Sequence, residues 1–163
     1  MITQQELKSL LCYSHETGVF TWRIAKSRKI KAGDIAGNTH IRGHIDIRIN
    51  RKLYKAHRLA WLYVYGGFPE KMLDHINGNP ADNRIENLRE VTDAENLKNV
   101  KRHSDNRSGY KGVYYRKERN TYRASIFSNG KKKMLGSFKD PAEAHDAYKK
   151  AALELHGEYA RFE

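Results

Sequence analysis

The sequence predicts an α+β protein in which short strands and a few helices are set out in consecutive regions along the chain. Three observations predict it. Strand-like alternation dominates residues 18–54, a turn-rich stretch holding most of the chemical side chains follows at residues 72–99, and three strands with one helix close the chain. The resulting division is 1–53 as an N-terminal helix and basic strand region, 54–100 as a central unit, 101–107 as a linker and 108–163 as a C-terminal domain.

The elements follow in order. Residues 3–13 form a helix: Thr3 caps it, Glu6 stands three positions on, and Leu7, Leu10 and Leu11 share a face. Val19 to Trp22 is a strand, followed by turns through Gly33 and Gly37. Ile45, Ile47 and Ile49 alternate with polar residues, the period of a half-buried strand, and Asn50-Arg51-Lys52 turns into Leu53 to Lys55. A helix runs from about His57 to Tyr65, stopped by Gly66-Gly67 and Pro69. Met72 to His75 is a short strand, Asn77-Gly78 a turn, and Ile85 to Arg89 a second short segment. Thr92 and Glu95 have capping-box spacing for a helix over about 93–100 that carries Asn96. Residues 101–109 are polar and basic without periodicity. Strands follow at 111–116, 121–127 and 132–138, then a helix from Asp140 to about His156, with Ala144, Ala147, Tyr148, Ala151 and Leu155 inward.

Composition narrows the class of function. The 163 residues carry 31 Lys+Arg against 19 Asp+Glu, a net charge of +12. No run of ~18 apolar residues is available for a transmembrane helix. The first residues lack a basic start followed by an apolar block, so no secretory signal is expected. The single cysteine, Cys12, excludes an internal disulfide framework and a cysteine-rich zinc site. These readings give a reduced, soluble, cytoplasmic protein. The charge is uneven: residues 1–53 balance at +6, 54–99 at −1 and 100–163 at +7. Basic flanks suit a polyanion, most simply nucleic acid. Carboxylates in the centre would repel phosphate unless a cation bridged them.

The central stretch can be read as chemistry. Cleaving a phosphodiester at neutral pH takes a base for water, a cation on the phosphate and a group that orients the base. His75 titrates in the right range. Asn87 could orient its ring from a returning hairpin, and Asp74 and Asn96 offer oxygens to a hard cation such as magnesium. On these residues alone the alternative stays open that Asn77, Asn79, Asn83 and Asn87 are turn residues without chemistry.

The stretches AHRLAW at 56–61 and LDHINGNPADNRIENLREVTDAEN at 73–96 resemble the HNH endonuclease family, most closely its phage and intron-encoded homing type. The resemblance covers about residues 54–99. It implies a ββα-metal unit that holds one divalent cation at DNA. Asp74 and Asn96 would be metal ligands, His75 the general base and Asn87 its orienting partner. His57 matches an HR pair before the motif and takes a supporting role. Mg2+ is the expected cofactor, with Mn2+ as a substitute, and no structural zinc is expected.

Residues 108–162 resemble an AP2 domain through YKGVYYR, YRASI, LGSF and the alanine-rich helix after Asp140. That implies a three-stranded antiparallel sheet laid into DNA with a helix behind it. By the resemblance Lys111, Arg116 and Tyr122 fall on DNA-contacting strand positions. Arg119, Arg123, Lys131, Lys132 and Lys133 would contact phosphate. Tyr114 departs from the arginine usual in plant relatives, so base preference does not carry over. The expected protein is a site-recognising homing endonuclease acting on double-stranded DNA as monomer or homodimer, in the bacterial host cell if phage-encoded. The competing reading is a non-catalytic DNA-binding regulator.

Overall fold

The structure is a computed structural model and describes residues 1–92, 95–96, 106–128, 130–160 and 162, the side chain of Glu158 apart. It divides into two compact units, Met1–Asp93 and Ala94–Glu163. Among the described residues no helix is long and apolar enough to cross a membrane.

The N-terminal unit opens with helix α1 (Gln4–Leu10), where the Thr3 hydroxyl accepts the Glu6 amide at 3.2 Å. The helix ends earlier than its leucine pattern suggests. Leu11 to Tyr13 instead form strand β1, antiparallel to β2 (Phe20–Trp22). Strand pairing wins because it buries Leu11 and Tyr13 beside Phe20 and Trp22 on one face, where a further helical turn would scatter them.

Strand β3 (Asn38–Thr39) pairs with β4 (Ile45–Ile49), which pairs with β5 (Lys52–Lys55). Asn50 and Arg51 take φ of 46° and 65°, the left-handed pair that a two-residue hairpin loop demands. Helix α2 (Ala56–Tyr65) follows directly and stops at Gly66, whose φ of 84° forms the left-handed cap. Strands β6 (Met72–His75) and β7 (Leu88–Val91) make a separate hairpin that sets Asp74 opposite Arg89 and His75 opposite Leu88.

One core unites these parts. Leu7, Leu11, Phe20, Trp22, Ile47, Ile49, Leu59 and Leu62 are buried in a single cluster with Leu88 of β7. Residues 1–53 therefore do not stand apart from the segment that starts at 54; they share its core, which the sequence division had separated.

The C-terminal unit is an antiparallel sheet in the order β10-β9-β8, made of β8 (Val113–Arg116), β9 (Thr121–Ser128) and β10 (Lys131–Phe138). Helix α3 (Pro141–His156) packs on it. Asp140 caps α3 by accepting the amides of Ala142 at 2.6 Å and Glu143 at 3.3 Å. The buried face of α3 is Ala144, His145, Tyr148, Ala151, Ala152 and His156, so two histidines belong to it that the apolar pattern omits. Their rings find backbone acceptors: His145 Nδ1 lies 3.2 Å from the Lys111 carbonyl and His156 Nε2 3.1 Å from that of Phe127. Gly112, at φ 75°, is required by packing, since a Cβ there would sit 2.0 Å from the Tyr148 ring.

Candidate active site and nucleic-acid face

The chemistry-bearing residues of the N-terminal unit converge on the end of the β6–β7 hairpin. Successive strand residues point to opposite faces, so Asp74 and His75 diverge. Asp74 is 9% exposed and ion-paired: Arg89 donates from Nε at 3.2 Å and from Nη2 at 3.1 Å, both to Oδ2. The Asp74 carboxylate therefore carries a guanidinium. As a hard oxygen donor it still suits a divalent cation, with Arg89 sharing the charge.

His75 is 5% exposed and its Nε2 lies 3.4 Å from Asn83 Oδ1. The Asn83 amide is oriented by its own Nδ2, which donates to the Ala81 carbonyl at 3.1 Å. Oδ1 thus faces the ring, and since it can only accept, Nε2 carries the proton and Nδ1 the lone pair. Burial pushes the His75 pKa below its ordinary value, against the opposing contact with Asn83.

This corrects one assignment. Asn87 does not orient His75. Its Oδ1 accepts the Asn77 amide at 3.0 Å, and its Nδ2 donates to Asn77 Oδ1 at 3.1 Å and to the Asp82 carbonyl at 2.9 Å. Its amide is used up in closing the loop that leaves His75. Asn83 stands at the ring instead. Asn77 and Asn79 also serve the loop, each accepting the amide two residues on. Asp82 knits it further through Arg84 and Asn77, and the Arg84 contacts hold its pKa down at about 2.

Asn83 is braced from the N-terminal strands. The Tyr13 hydroxyl donates to the Asn83 carbonyl at 2.7 Å, and burial raises the Tyr13 pKa to about 12. Gly18, at φ 70°, lies so close that a Cβ would meet Arg84 N at 2.4 Å. No residue pattern before the motif signalled these supports, because they are contacts of high sequence separation.

Two further imidazoles meet His75. His57, at the start of α2, has its ring centroid 5.1 Å from that of His75, and His44, just before β4, lies 5.6 Å from His75 and 5.2 Å from His57. His57 and His75 are buried and His44 is half-buried. Burial first, then the neighbouring histidines, lower the His57 pKa to about 3, and burial lowers that of His44. His44 was not singled out from sequence. Asn96 is helical and half-buried, and it belongs to the C-terminal unit. The rest of its expected helix, residues 93–94 and 97–100, lies outside the described residues.

In the C-terminal unit, register sorts the expected DNA contacts by face. Val113 pairs with Ala124 and Tyr115 with Tyr122, so these four share the side covered by α3. Tyr122 packs there with Val113 and Ala144, which removes it from the open face. The open face holds Tyr114 and Arg123 as one pair and Arg116 and Thr121 as the next. Ser125, Phe127, Lys132 and Met134 continue it, with Lys132 Nζ 4.7 Å over the Tyr114 ring. Lys131 and Lys133 are exposed but pair with Ser128 and Ile126, on the side of α3. Arg119 is exposed in the turn between β8 and β9, and Lys111 precedes β8 half-buried. Phe127 and Met134 are exposed apolar residues on the cationic face that the charge count had passed over.

A family model described as HNH endonuclease matches residues 54–98. Protein 3.8 of Escherichia phage T7 is 35% identical over 116 residues, which take in 69% of this chain and 95% of that protein. An uncharacterized HNH endonuclease of Acanthamoeba polyphaga mimivirus is 32% identical over 106 residues, 64% of this chain and 54% of that one. Among solved structures, one of DNA binding and cleavage by the HNH homing endonuclease I-HmuI aligns with a TM-score of 0.43 at 20% identity, over 90% of this chain and 85% of that one.

Proposed function

We propose that this chain, whose residues 54–98 match an HNH endonuclease family model, is a site-recognising DNA endonuclease of homing type that hydrolyses phosphodiester bonds with a divalent cation. The observation that carries the reading is the His75 ring, buried at the end of β6 with Asn83 Oδ1 at Nε2. That contact selects the tautomer whose Nδ1 can take a proton from an attacking water. The pKa lowered by burial keeps the ring in its neutral, base-competent form at neutral pH.

Asp74 supplies a carboxylate for the cation, and Asn96 is kept as second ligand on the resemblance alone. Magnesium, when bound, supplies positive charge to the scissile phosphate and to the departing oxygen. Arg89, on Asp74, holds that carboxylate in a single orientation and adds a positive charge beside it. The loop 77–87, closed by Asn87 and Asp82, keeps Asn83 against the ring.

The C-terminal unit, AP2-like by its motifs, serves as the grip. Arg116, Arg123 and Lys132 on the open face suit phosphate, while Tyr114, Phe127 and Met134 between them suit bases and sugars. Such a surface positions a cleavage centre at a site, where net charge alone would bind any DNA.

The test is cleavage of supercoiled DNA with magnesium, with manganese and with EDTA, beside His75→Ala and Asp74→Ala. Metal-dependent nicked or linear product is expected, with a loss of about 1000-fold in His75→Ala at unchanged DNA affinity. Binding without cleavage across metals would replace the reading with a non-catalytic DNA binder.

A further inference from the structure

We propose that His44, His57 and His75 form a binding site for a borderline transition ion of the zinc type, distinct from the magnesium ligands, and that its occupation switches the nuclease off. One ring nitrogen of each histidine lies within 4.8 Å of those of the other two. Zinc bound by histidine at about 2.0–2.1 Å in a tetrahedron sets its ligands roughly 3.3 Å apart, so small ring rotations close the site.

The chemistry of the donors agrees. Three neutral imidazoles suit zinc, copper, cobalt or nickel and suit magnesium poorly. The three rings sit on different elements, before β4, at the start of α2 and at the end of β6, so the fold gathers them from distant sequence. Among the described residues, Nδ1 of both His44 and His57 is buried without a hydrogen-bond partner. A buried unpartnered ring nitrogen costs free energy, and a metal ion satisfies it. Three protein ligands leave one tetrahedral position for water.

The inhibitory part rests on the reading of His75 as the base. A ring whose lone pair is spent on a metal cannot take a proton from water. Magnesium at Asp74 and a zinc-type ion at the histidines would thus have opposite effects on one reaction.

The experiment uses the full chain without DNA, in buffer with excess magnesium. Zinc affinity is measured by competition against a fluorescent chelator, and cobalt binding by its visible absorption. One ion per chain, intense tetrahedral cobalt bands and at least tenfold weaker binding in His44→Gln are expected. Binding unchanged in His44→Gln, or no binding at micromolar zinc, overturns the site. Because His44 takes no part in the cleavage step, His44→Gln should retain magnesium-dependent nuclease activity while losing zinc inhibition. Wild-type binding with cleavage unaffected by zinc would overturn the switch but leave the site. A chain that binds zinc yet never cleaves DNA would overturn the nuclease reading and leave the site standing. Circular dichroism of His44→Gln confirms that the variant is folded.

Discussion

The hairpin β6–β7 and the sheet β8–β10 are both antiparallel and both carry charge, but they hold it differently. In the hairpin, Asp74 is tied to Arg89, His75 faces Asn83, and the loop asparagines spend their amides on one another and on backbone. In the sheet, Arg123 and Lys132 stand on an open face, and no carboxylate pairs with either among the described residues. On the function proposed above, the difference separates chemistry from grip. A reacting group must be fixed and its pKa set by burial, whereas a phosphate contact needs only a cation within reach. Substitutions should therefore act on rate in the first region and on salt-dependent affinity in the second.

The largest effect tests how far the hairpin loop depends on strands far away in sequence. A Cβ on Gly18 would overlap Arg84 N at 2.4 Å and Asn83 C at 2.5 Å, where φ is already 70°. Gly18→Ala should cost about 3 kcal/mol or more, since neither backbone can yield cheaply. Gly33→Ala is the control: its φ is 90° but nothing lies within 4 Å of a Cβ, so only the backbone cost of about 1 kcal/mol applies. Urea melts of both variants give the comparison, and equal losses would mean that Gly18 answers to φ alone.

Next comes the division of labour between two asparagines. Asn83→Ala removes the group at His75 Nε2 and should lower kcat by about 10- to 100-fold with affinity kept, beside a stability cost of about 1–3 kcal/mol for the His75 ring and the Ala81 carbonyl left without their side-chain partner. Asn87→Ala leaves the Asn77 amide and the Asp82 carbonyl without their side-chain partners and should cost about 1–3 kcal/mol of stability. If Asn87→Ala alone reduced kcat in a folded protein, the middle asparagine of the motif would regain the orienting role.

That exchange shows what was legible. The motif spacing located the hairpin, and Asp74, His75 and the capped α3 came from local rules of period, turn and cap. Asn83 and Asn87 are chemically identical in sequence, four positions apart in one polar loop. Only the closed loop decides which amide reaches the ring, and that is set by Tyr13 and Gly18, some 70 residues away for the Tyr13 bond. His44 was hidden for the same reason, because its partners lie on α2 and β6. In the sheet, charge counting found Arg123 and Lys132 but also Lys131 and Lys133, and the AP2 resemblance added Tyr122. Face is a matter of register, which a count of cations does not contain.

The histidine cluster adds a pH dependence to the first region. The pKa of His57 falls from 6.5 unfolded to about 3 folded, because burial and two neighbouring imidazoles disfavour its charge. Between those values the unfolded chain binds a proton that the folded chain refuses, so stability rises with pH and is lost on acidification below 6.5. At pH 5 the loss from His57 is about 2 kcal/mol, and His44 and His75 act in the same direction. Urea midpoints measured from pH 7.5 to 5 with EDTA present should fall, and His57→Gln should flatten the slope. A wild-type midpoint independent of pH would show the cluster to be protonated at little cost.

The smallest effect resolves the two faces of the sheet. Arg123→Ala and Lys132→Ala each remove one cation from the open face, while Lys133→Ala removes one from the side of α3. The first two should weaken DNA binding several-fold and lower the slope of log affinity against log salt by about 1 each. Lys133→Ala should leave the slope unchanged, and all three should melt alike because none is a core residue. Tyr114→Ala offers a finer reading, since it removes the ring beneath Lys132 without changing charge. Affinity lost at constant salt slope would assign that ring to sugar or base. An equal change of slope for Lys133 and Lys132 would mean that register does not choose the binding face, and that the sheet attracts DNA by net charge alone.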